Sequence, residues 1–185
     1  MNKLVTIDLS RFKKVKQEIS DECIACCLES VLSYYGYKDK SKTDFYSILK
    51  PNLNFKGVMD KIAPLYPKLK FNFQNHNGDI IQLLDFVKNK LDNNIPIITA
   101  IKSDYNLQSV FQQKSLDQIL LVVDIINPVA KSDKTHIITV IGYDDERVIF
   151  YEQGEQKYVS VNYDNSVFET IIQGGKYDTL IIFEK

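Results

Sequence analysis

Apolar residues in the first half of the chain recur at helical spacing, whereas those in the second half form short runs typical of β-strands. The helical spacing predicts helices at 21–35, 43–49, 57–65 and 79–91. Strands are predicted at 69–73, 96–101, 119–126, 136–141, 148–152, 158–161 and 179–183, with a further helix at 164–172. Residues 105–118 carry no clear pattern and are interpreted as a loop with a short helix. Helices first and strands later predict an α+β domain, with the front helix packed on an antiparallel sheet.

The first predicted helix has a cysteine in its first turn. Ser20 and Asp21 are candidate N-cap residues, and Gly36 stands where a glycine ends many helices. The unpaired backbone N–H groups at a helix start favour a thiolate, so the pKa of a cysteine placed there can fall from about 8.5 to well below 7. The sequence therefore predicts that Cys23 is a nucleophile.

The length and charge of the chain narrow the classes of function. Its 185 residues predict a single domain, residues 1–185, large enough to bury a core. Its net charge of −1 argues against a nucleic-acid partner, because phosphate binding requires a surplus of basic residues. The basic group Arg11, Lys13, Lys14 and Lys16 is interpreted as a solvated face.

The cysteines and the apolar runs indicate the compartment. Cys23, Cys26 and Cys27 are too clustered for a disulfide framework and leave at least one free thiol, and the last two are interpreted as small buried side chains. Their spacing is also poor for zinc, and phosphate-binding glycine loops are absent, so no metal or cofactor is predicted. The longest apolar run, Ile119–Val123, is too short for a membrane span, and the first residues do not form a signal peptide. These features predict the cytoplasm.

A cysteine nucleophile needs a base within hydrogen-bond reach, and the base needs an orienting group. Of the two histidines, His136 begins a predicted strand that reaches a turn at about Asp144. A hairpin centred there would place Glu152 directly opposite His136 on the same face, where its carboxylate could orient the imidazole. His76 lies in a polar stretch, 74–78, and is interpreted as solvated.

Two segments of the chain resemble a known family. Gln17 precedes Cys23 by six residues, the helix that follows ends in Tyr34-Tyr35, and His136 opens a strand that ends in Gly-Tyr-Asp-Asp. In these features the chain is similar to the papain-like cysteine peptidases that remove bacteriocin leader peptides after a double glycine, and to their free-standing relatives.

The chain departs from this family's pattern at three places. Glu22 replaces the Asp that usually precedes the cysteine, and Ile24 replaces the Gly that follows it. Glu152-Gln153 stands where the family often has Asp-Pro.

The resemblance implies a papain-like fold, a peptide substrate and a role for each matching residue. Cys23 would attack the peptide carbonyl, His136 would transfer the proton, and Gln17 would donate a hydrogen bond to the oxyanion. Two other functions are left open by the sequence. One is an acyltransferase of peptide or antibiotic biosynthesis that uses the same Cys–His pair, and the other is a catalytically silent binding protein with the same fold.

Overall fold

The computed structural model describes residues 4–76, 80–102, 105–108, 114–116, 119–121, 123–128, 135–162 and 178–185. The helices are α1 (Cys23–Tyr34), α2 (Lys42–Leu49), α3 (Phe55–Gly57) and α4 (Ile80–Asp92). A 3₁₀ turn, Ser20–Glu22, leads into α1, and α3 continues through a π-helical segment, Val58–Ile62, and a 3₁₀ turn, Ala63–Leu65. The helices predicted at 21–35, 43–49 and 79–91 are confirmed with small differences at their ends. The one predicted at 57–65 is helical but mainly π-helical and 3₁₀, and the helix predicted at 164–172 lies outside the described residues.

The C-terminal end of α1 agrees with the sequence prediction, whereas its N-terminal end does not. Gly36 has a φ of 85° and ends the helix as predicted, since its N–H donates to the Ser33 carbonyl and the next N–H, that of Tyr37, donates to the Leu32 carbonyl. The predicted N-caps are wrong, because Ser20 and Asp21 belong to the 3₁₀ turn and no side chain caps α1.

The strands form one large sheet and one small hairpin. They are β1 (Val5–Thr6), β2 (Leu69–Asn75), β3 (Ile97–Lys102), β4 (Tyr105–Gln108), β5 (Lys114–Leu116), β6 (Ile119–Leu121), β7 (Val123–Pro128), β8 (Thr135–Tyr143), β9 (Arg147–Glu152), β10 (Lys157–Asn162) and β11 (Asp178–Glu184). The large sheet has the order β2-β11-β3-β8-β9-β10-β7-β4, and β1 also pairs with β8. Every pairing is antiparallel except that of β10 with β7.

The segment between β3 and β8 differs from its prediction. Residues 105–108 and 114–116 are strands rather than parts of a loop with a short helix, because β4 pairs with β7 and β5 pairs with β6. The single strand predicted at 119–126 is divided between β6 in the small hairpin and β7 in the large sheet. Pairing partners distant in sequence decide these elements, and a local pattern does not contain them.

Helix α1 lies in the core between the sheet and α2. All of its residues from Ile24 to Tyr34 are buried. Its apolar side chains share one cluster with side chains of the sheet (Ile98, Ala100, Ile137, Leu180, Ile182) and of α2 (Phe45, Leu49). The predicted α+β architecture, a cysteine-bearing helix packed on an antiparallel sheet, is confirmed. Within the part of the chain described, no helix is long and apolar enough to cross a membrane.

Candidate active site

Cys23 is the first residue of α1, and its side chain is half-buried at the edge of a cleft of about 550 Å³. The neighbouring Ile24, which replaces the family's glycine, is fully buried in the core cluster and does not line this cleft. The substitution therefore leaves the space in front of the thiol open.

The imidazole of His136 joins two partners that come from different parts of the fold. It forms a hydrogen bond with the Cys23 side chain, and its Nε2 lies 3.2 Å from Oε1 of Glu152. Since Nε2 is engaged by the carboxylate, Nδ1 is the ring nitrogen left for the thiol. Helix α1 thus supplies Cys23, β8 supplies His136 and β9 supplies Glu152.

The register of the β8–β9 hairpin differs from the predicted one, although both place Glu152 on the face of His136. Thr139 pairs with Tyr151, and the same register continued places Gly154, not Glu152, opposite His136. Glu152 is therefore a diagonal neighbour of His136, at a spacing of about 7–8 Å between backbones that a glutamate side chain can bridge. The direct opposition expected from the sequence is wrong by two residues.

An irregularity near the turn explains why Glu152 nevertheless lies on the same face of the sheet as His136, as predicted. Gly142 pairs with Ile149, and the register shifts by one residue between Gly142 and Val140, at Ile141. The Ile141 carbonyl accepts a hydrogen bond from the N–H of Ile7. Without this β-bulge the pairing would continue unshifted and turn Glu152 to the opposite face of the sheet. The bulge therefore aims the carboxylate at the histidine.

The carboxylate of Glu152 is held by backbone as well as by His136. The N–H of Gly154 donates to Oε1 at 3.0 Å, and the N–H of Glu155 donates to Oε2 at 2.6 Å. A Cβ atom at position 154 would lie 3.2 Å from Oε1, closer than an ordinary contact. Glycine at this position therefore gives the carboxylate room to fold back over its own turn.

The electrostatics of the site favour a charged pair. Burial would lower the pKa of His136, but hydrogen bonds and charge from Cys23 and Glu152 outweigh it and raise the pKa to about 9. Burial would raise the pKa of Glu152, but hydrogen bonds from His136 and from the Glu155 and Gly154 backbone lower it below its usual value. At neutral pH the imidazole is therefore cationic and the carboxylate is anionic.

The two other cysteines lack these surroundings. Burial raises the pKa of Cys26 to about 12 and that of Cys27 well above its usual value. The Cys26 thiol faces the Lys16 carbonyl, and the Cys27 thiol faces the Ile137 carbonyl. The interpretation of both as small buried side chains is confirmed.

Gln17 lies in the segment that precedes the 3₁₀ turn before Cys23. Its side-chain Nε2 donates to the carbonyls of Ile19 and Ser20, each at 2.9 Å, while its Oε1 is buried without a protein partner among the described residues. Its backbone N–H donates to the Gln153 carbonyl at 3.0 Å. The amide group is thus held against the turn that leads into the cysteine.

The carboxylate of Glu22, which replaces the family's aspartate, is directed towards this same segment. It accepts from the N–H groups of Glu18 and Ile19 and lies 3.3 Å from Nζ of Lys42. Burial would raise its pKa, but these hydrogen bonds and the charge of Lys42 lower it. Glu22 therefore fixes the path of the chain into α1.

The structure also brings Gln153 to the site, a residue that the sequence did not single out as functional. It is 1% exposed, and its Nε2 donates to the Ile137 carbonyl and contacts the Cys23 carbonyl at 3.4 Å. The side chain therefore ties the start of α1 to the strand that carries His136. The sequence feature that could have pointed to Gln153 is its position directly after Glu152, the predicted orienting carboxylate.

The interpretation of His76 as solvated is wrong. Its side chain is 3% exposed, with Nε2 3.0 Å from Oγ1 of Thr179 and its ring packed against Phe86. Burial lowers its pKa, although the charge of Asp178 opposes that change. Across the described ranges, no group of three or more His, Cys, Asp or Glu side chains is placed to hold a metal ion.

Comparison with known proteins finds a matching family and a similar fold. A family model described as the Peptidase_C39 like family matches residues 7–173. Among solved structures, the chain is similar to the crystal structure of a Bacillus anthracis protein described as a C39-like peptidase, with a TM-score of 0.63 and 14% sequence identity. That similarity covers 99% of this chain and 98% of the other. Comparison with curated proteins found no match.

Proposed function

The chain belongs to the Peptidase_C39-like family, and on that premise we propose that it is a cysteine peptidase that cleaves a peptide bond with Cys23 and His136. The observation that carries the proposal is the contact of His136 with both the Cys23 side chain and the Glu152 carboxylate. A thiol, an imidazole and a carboxylate in series are the arrangement by which a nucleophile is activated and its base is oriented.

In the first half of the reaction the Cys23 thiolate attacks the peptide carbonyl. A C–S bond forms, and the C=O electron pair moves to oxygen to give a tetrahedral oxyanion. As the C–N bond breaks, the His136 imidazolium donates its proton to the departing amine nitrogen. The pKa of about 9 for His136 supports this step, because the proton is already on the imidazole at neutral pH.

In the second half of the reaction water resolves the thioester. The neutral His136 accepts a proton from water as its oxygen attacks the carbonyl carbon, and the C–S bond breaks to release the acid and restore the thiolate. Glu152 stabilises the imidazolium at both ends of this cycle and fixes the orientation of the ring.

The oxyanion would be bound by the backbone N–H of Cys23 and the side-chain amide of Gln17. The Cys23 N–H lies at the start of α1, where the helix dipole also favours negative charge. In the described structure both donors of the Gln17 amide go to carbonyl oxygens. The proposal therefore requires the amide to turn one N–H from those carbonyls to the oxyanion when substrate binds.

The proposal is tested by thiol reactivity and by cleavage of a mixture of peptides with mass-spectrometric identification of the products. We expect iodoacetamide to label Cys23 far faster than Cys26 or Cys27, and the mixture to be cleaved. Cys23→Ala should abolish cleavage, whereas Cys26→Ala, a matched change at a buried thiol, should retain it. Cleavage that survives Cys23→Ala would overturn the proposal, as would slow labelling of Cys23 in the native protein.

The identity of the acyl acceptor is tested in the same reaction. Cleavage in H₂¹⁸O should place the heavy isotope in the new carboxyl group if water resolves the thioester, whereas an added amine would appear in the product of a transferase. A cytoplasmic location is part of the same proposal and agrees with the three free cysteines, since disulfides are rare in that compartment.

A further inference from the structure

The side chain of Lys42 joins three points of the entry segment, residues 16–22, which leads into α1. Its Nζ donates to the Lys16 carbonyl and to Oε2 of Glu18, each at 2.8 Å. It also donates to Oε2 of Glu22, at 3.3 Å. Because one ammonium group binds both ends of the entry segment, it fixes the path of the backbone between them.

Lys42 is itself anchored to the helix that carries Cys23. It is the first residue of α2, where a backbone N–H has no partner within the helix, and this N–H donates to Oε2 of Glu29 at 2.6 Å. Glu29 belongs to α1 and is 6% exposed, and its Oε1 binds the ammonium group of Lys13. The backbone of Lys42 therefore binds α1 while its side chain binds the entry segment.

The charge of Lys42 serves the entry segment rather than its own helix. The residue lies at the positive end of the α2 dipole, where a cation is disfavoured. Glu22, however, is 7% exposed, and a buried carboxylate requires a cation or hydrogen-bond donors. Burial would lower the pKa of Lys42, but hydrogen bonds with Glu18 and Glu22 raise it above its usual value. The ammonium group therefore stays charged and compensates the buried carboxylate.

The entry segment carries Gln17, the proposed donor to the oxyanion. Gln17 directly follows Lys16, whose carbonyl is held by Lys42. Its side-chain amide lies against two carbonyls of the same segment and would turn from there to the oxyanion. A donor is effective only when it is held in place beforehand, and a misplacement of 1 Å costs roughly 100-fold in rate. The reach of Gln17 therefore depends on what fixes the entry segment relative to α1.

We propose that Lys42 is a positioning residue for catalysis, which holds the entry segment at the distance from Cys23 that lets Gln17 reach the oxyanion. The inference rests on the proposed function, because it acts through a donor that only an oxyanion would use. Lys42 does not line the cleft beside Cys23. Its contribution should therefore appear in the stabilisation of the transition state, and not in substrate binding or in the reactivity of the thiol.

The proposal is tested by comparing two reactions of Cys23. Alkylation by iodoacetamide displaces iodide from a saturated carbon and forms no oxyanion, whereas peptide cleavage forms one. Lys42→Met removes the ammonium group and should lower kcat, for one peptide cut in the mixture, by about 10-fold, less than the roughly 10²- to 10³-fold for loss of an oxyanion donor. The KM and the alkylation rate should change little, because the interaction lost is made only in the transition state. An unchanged kcat, or an equally large loss in alkylation, would overturn the proposal.

Two further variants separate positioning from a general loss of stability. Lys61→Met is the matched control, because Lys61 also donates through Nζ to three carbonyls, those of residues 48–50, and does not line the cleft. It should leave kcat unchanged. In a Gln17→Ala background, Lys42→Met should have no further effect, since the donor that it positions is already gone. An equal loss of kcat in Lys61→Met, or the same factor for Lys42→Met in both backgrounds, would contradict the proposal.

Glu22→Gln provides a test that does not depend on the folding of Lys42→Met. It weakens the contact with Lys42 at almost the same side-chain size, so it should lower kcat by a smaller factor, and an unchanged kcat would contradict the proposal. Protection of Cys26 and Cys27 from iodoacetamide verifies that each variant is folded. The failures are distinguishable. A wild-type protein that cleaves no peptide would contradict the proposed function, whereas cleavage that requires Cys23 but is unaffected by Lys42→Met would contradict this inference alone.

Discussion

The two histidines of the chain, His136 on β8 and His76 just after β2, are both shielded from solvent, yet their surroundings give them opposite properties. His136 lies between the Cys23 side chain and the Glu152 carboxylate, and its pKa is raised to about 9. His76 lies between the Thr179 hydroxyl and the Phe86 ring, and its pKa is lowered. Burial acts in the same direction on both, so the ionic partners decide the outcome. A shielded histidine becomes a candidate for catalysis through the groups that face it.

The largest expected effect comes from replacing each histidine in turn. His136→Asn should lower the rate of peptide cleavage by about 10²- to 10⁴-fold, the usual contribution of a positioned acid–base group. His76→Asn should change that rate little but reduce the free energy of unfolding by about 1–3 kcal/mol, because it disturbs a buried hydrogen bond and a ring contact. Cleavage assays and urea denaturation of both variants measure the two effects. Equal loss of cleavage in both variants would remove the distinction.

The pH dependence of the two rings should differ in direction. The pKa of His136 is raised, so the stability it contributes is full below its unfolded value of about 6.5 and is lost as pH rises through about 9. Cleavage should fall over the same upper range, because a neutral imidazole cannot protonate the leaving amine. The pKa of His76 is lowered, so its contribution is lost as pH falls below about 6.5. Histidine ring NMR signals would measure both transitions, and a His136 transition below that of His76 would contradict the assignment.

Glu152→Gln should have the next largest effect, a loss of cleavage of roughly 100-fold, within the range expected for acid–base catalysis. The neutral amide stabilises the imidazolium less, so the pKa of His136 should also fall from about 9. Glu152→Asp keeps the charge and should retain more activity than Glu152→Gln, although its shorter side chain must reach the same diagonal neighbour. Cleavage rates and the NMR titration of His136 together separate this role from a loss of folding. An unchanged His136 titration in Glu152→Gln would exclude the pairing.

Local sequence patterns predicted much of this geometry. The apolar spacing predicted a helix with Cys23 in its first turn, as in α1. Because Glu152 and His136 are separated by an even number of positions across the hairpin, the sequence also placed both side chains on the same face of the sheet, as observed. The register itself was wrong, because the turn lies later than expected and the bulge at Ile141 restores the face. A bulge depends on packing against another strand, here β1, and cannot be located from a hairpin pattern alone.

The burial of His76 and Gln153 also could not be predicted from the local sequence pattern. His76 follows a polar stretch of β2, so its sequence neighbours suggested solvent, whereas its partners Thr179 and Phe86 come from β11 and α4. Gln153 illustrates the same limit, because the carbonyls it contacts belong to α1 and β8. Residues whose environment is assembled from distant segments have no local signature.

Gln153→Met should give a smaller effect than the change at Glu152. Methionine keeps the length of the side chain but removes the N–H groups that link the Cys23 and Ile137 carbonyls. A small displacement of the thiol from His136 should slow alkylation of Cys23 by about 10-fold, less than the roughly 100-fold cost of a 1 Å misplacement. Gln74→Met, at an exposed glutamine of β2, is the control and should leave the rate unchanged. A Gln153→Met rate equal to that of the control would show that the linkage does not position the site.

The smallest effect is expected from Gly154→Ala, which tests whether the turn after β9 sets the position of the Glu152 carboxylate. The new Cβ would lie 3.2 Å from Oε1 and 3.4 Å from Oε2, so the carboxylate must move by a few tenths of an ångström relative to His136. Cleavage should fall by less than about 10-fold, since a full 1 Å misplacement costs roughly 100-fold. The same change made in a Glu152→Ala background should have no further effect, because the group that it displaces is already gone. If alanine at position 154 slowed cleavage by the same factor in both backgrounds, it would act on the turn itself, and the close packing of Gly154 against Glu152 would have no part in orienting His136.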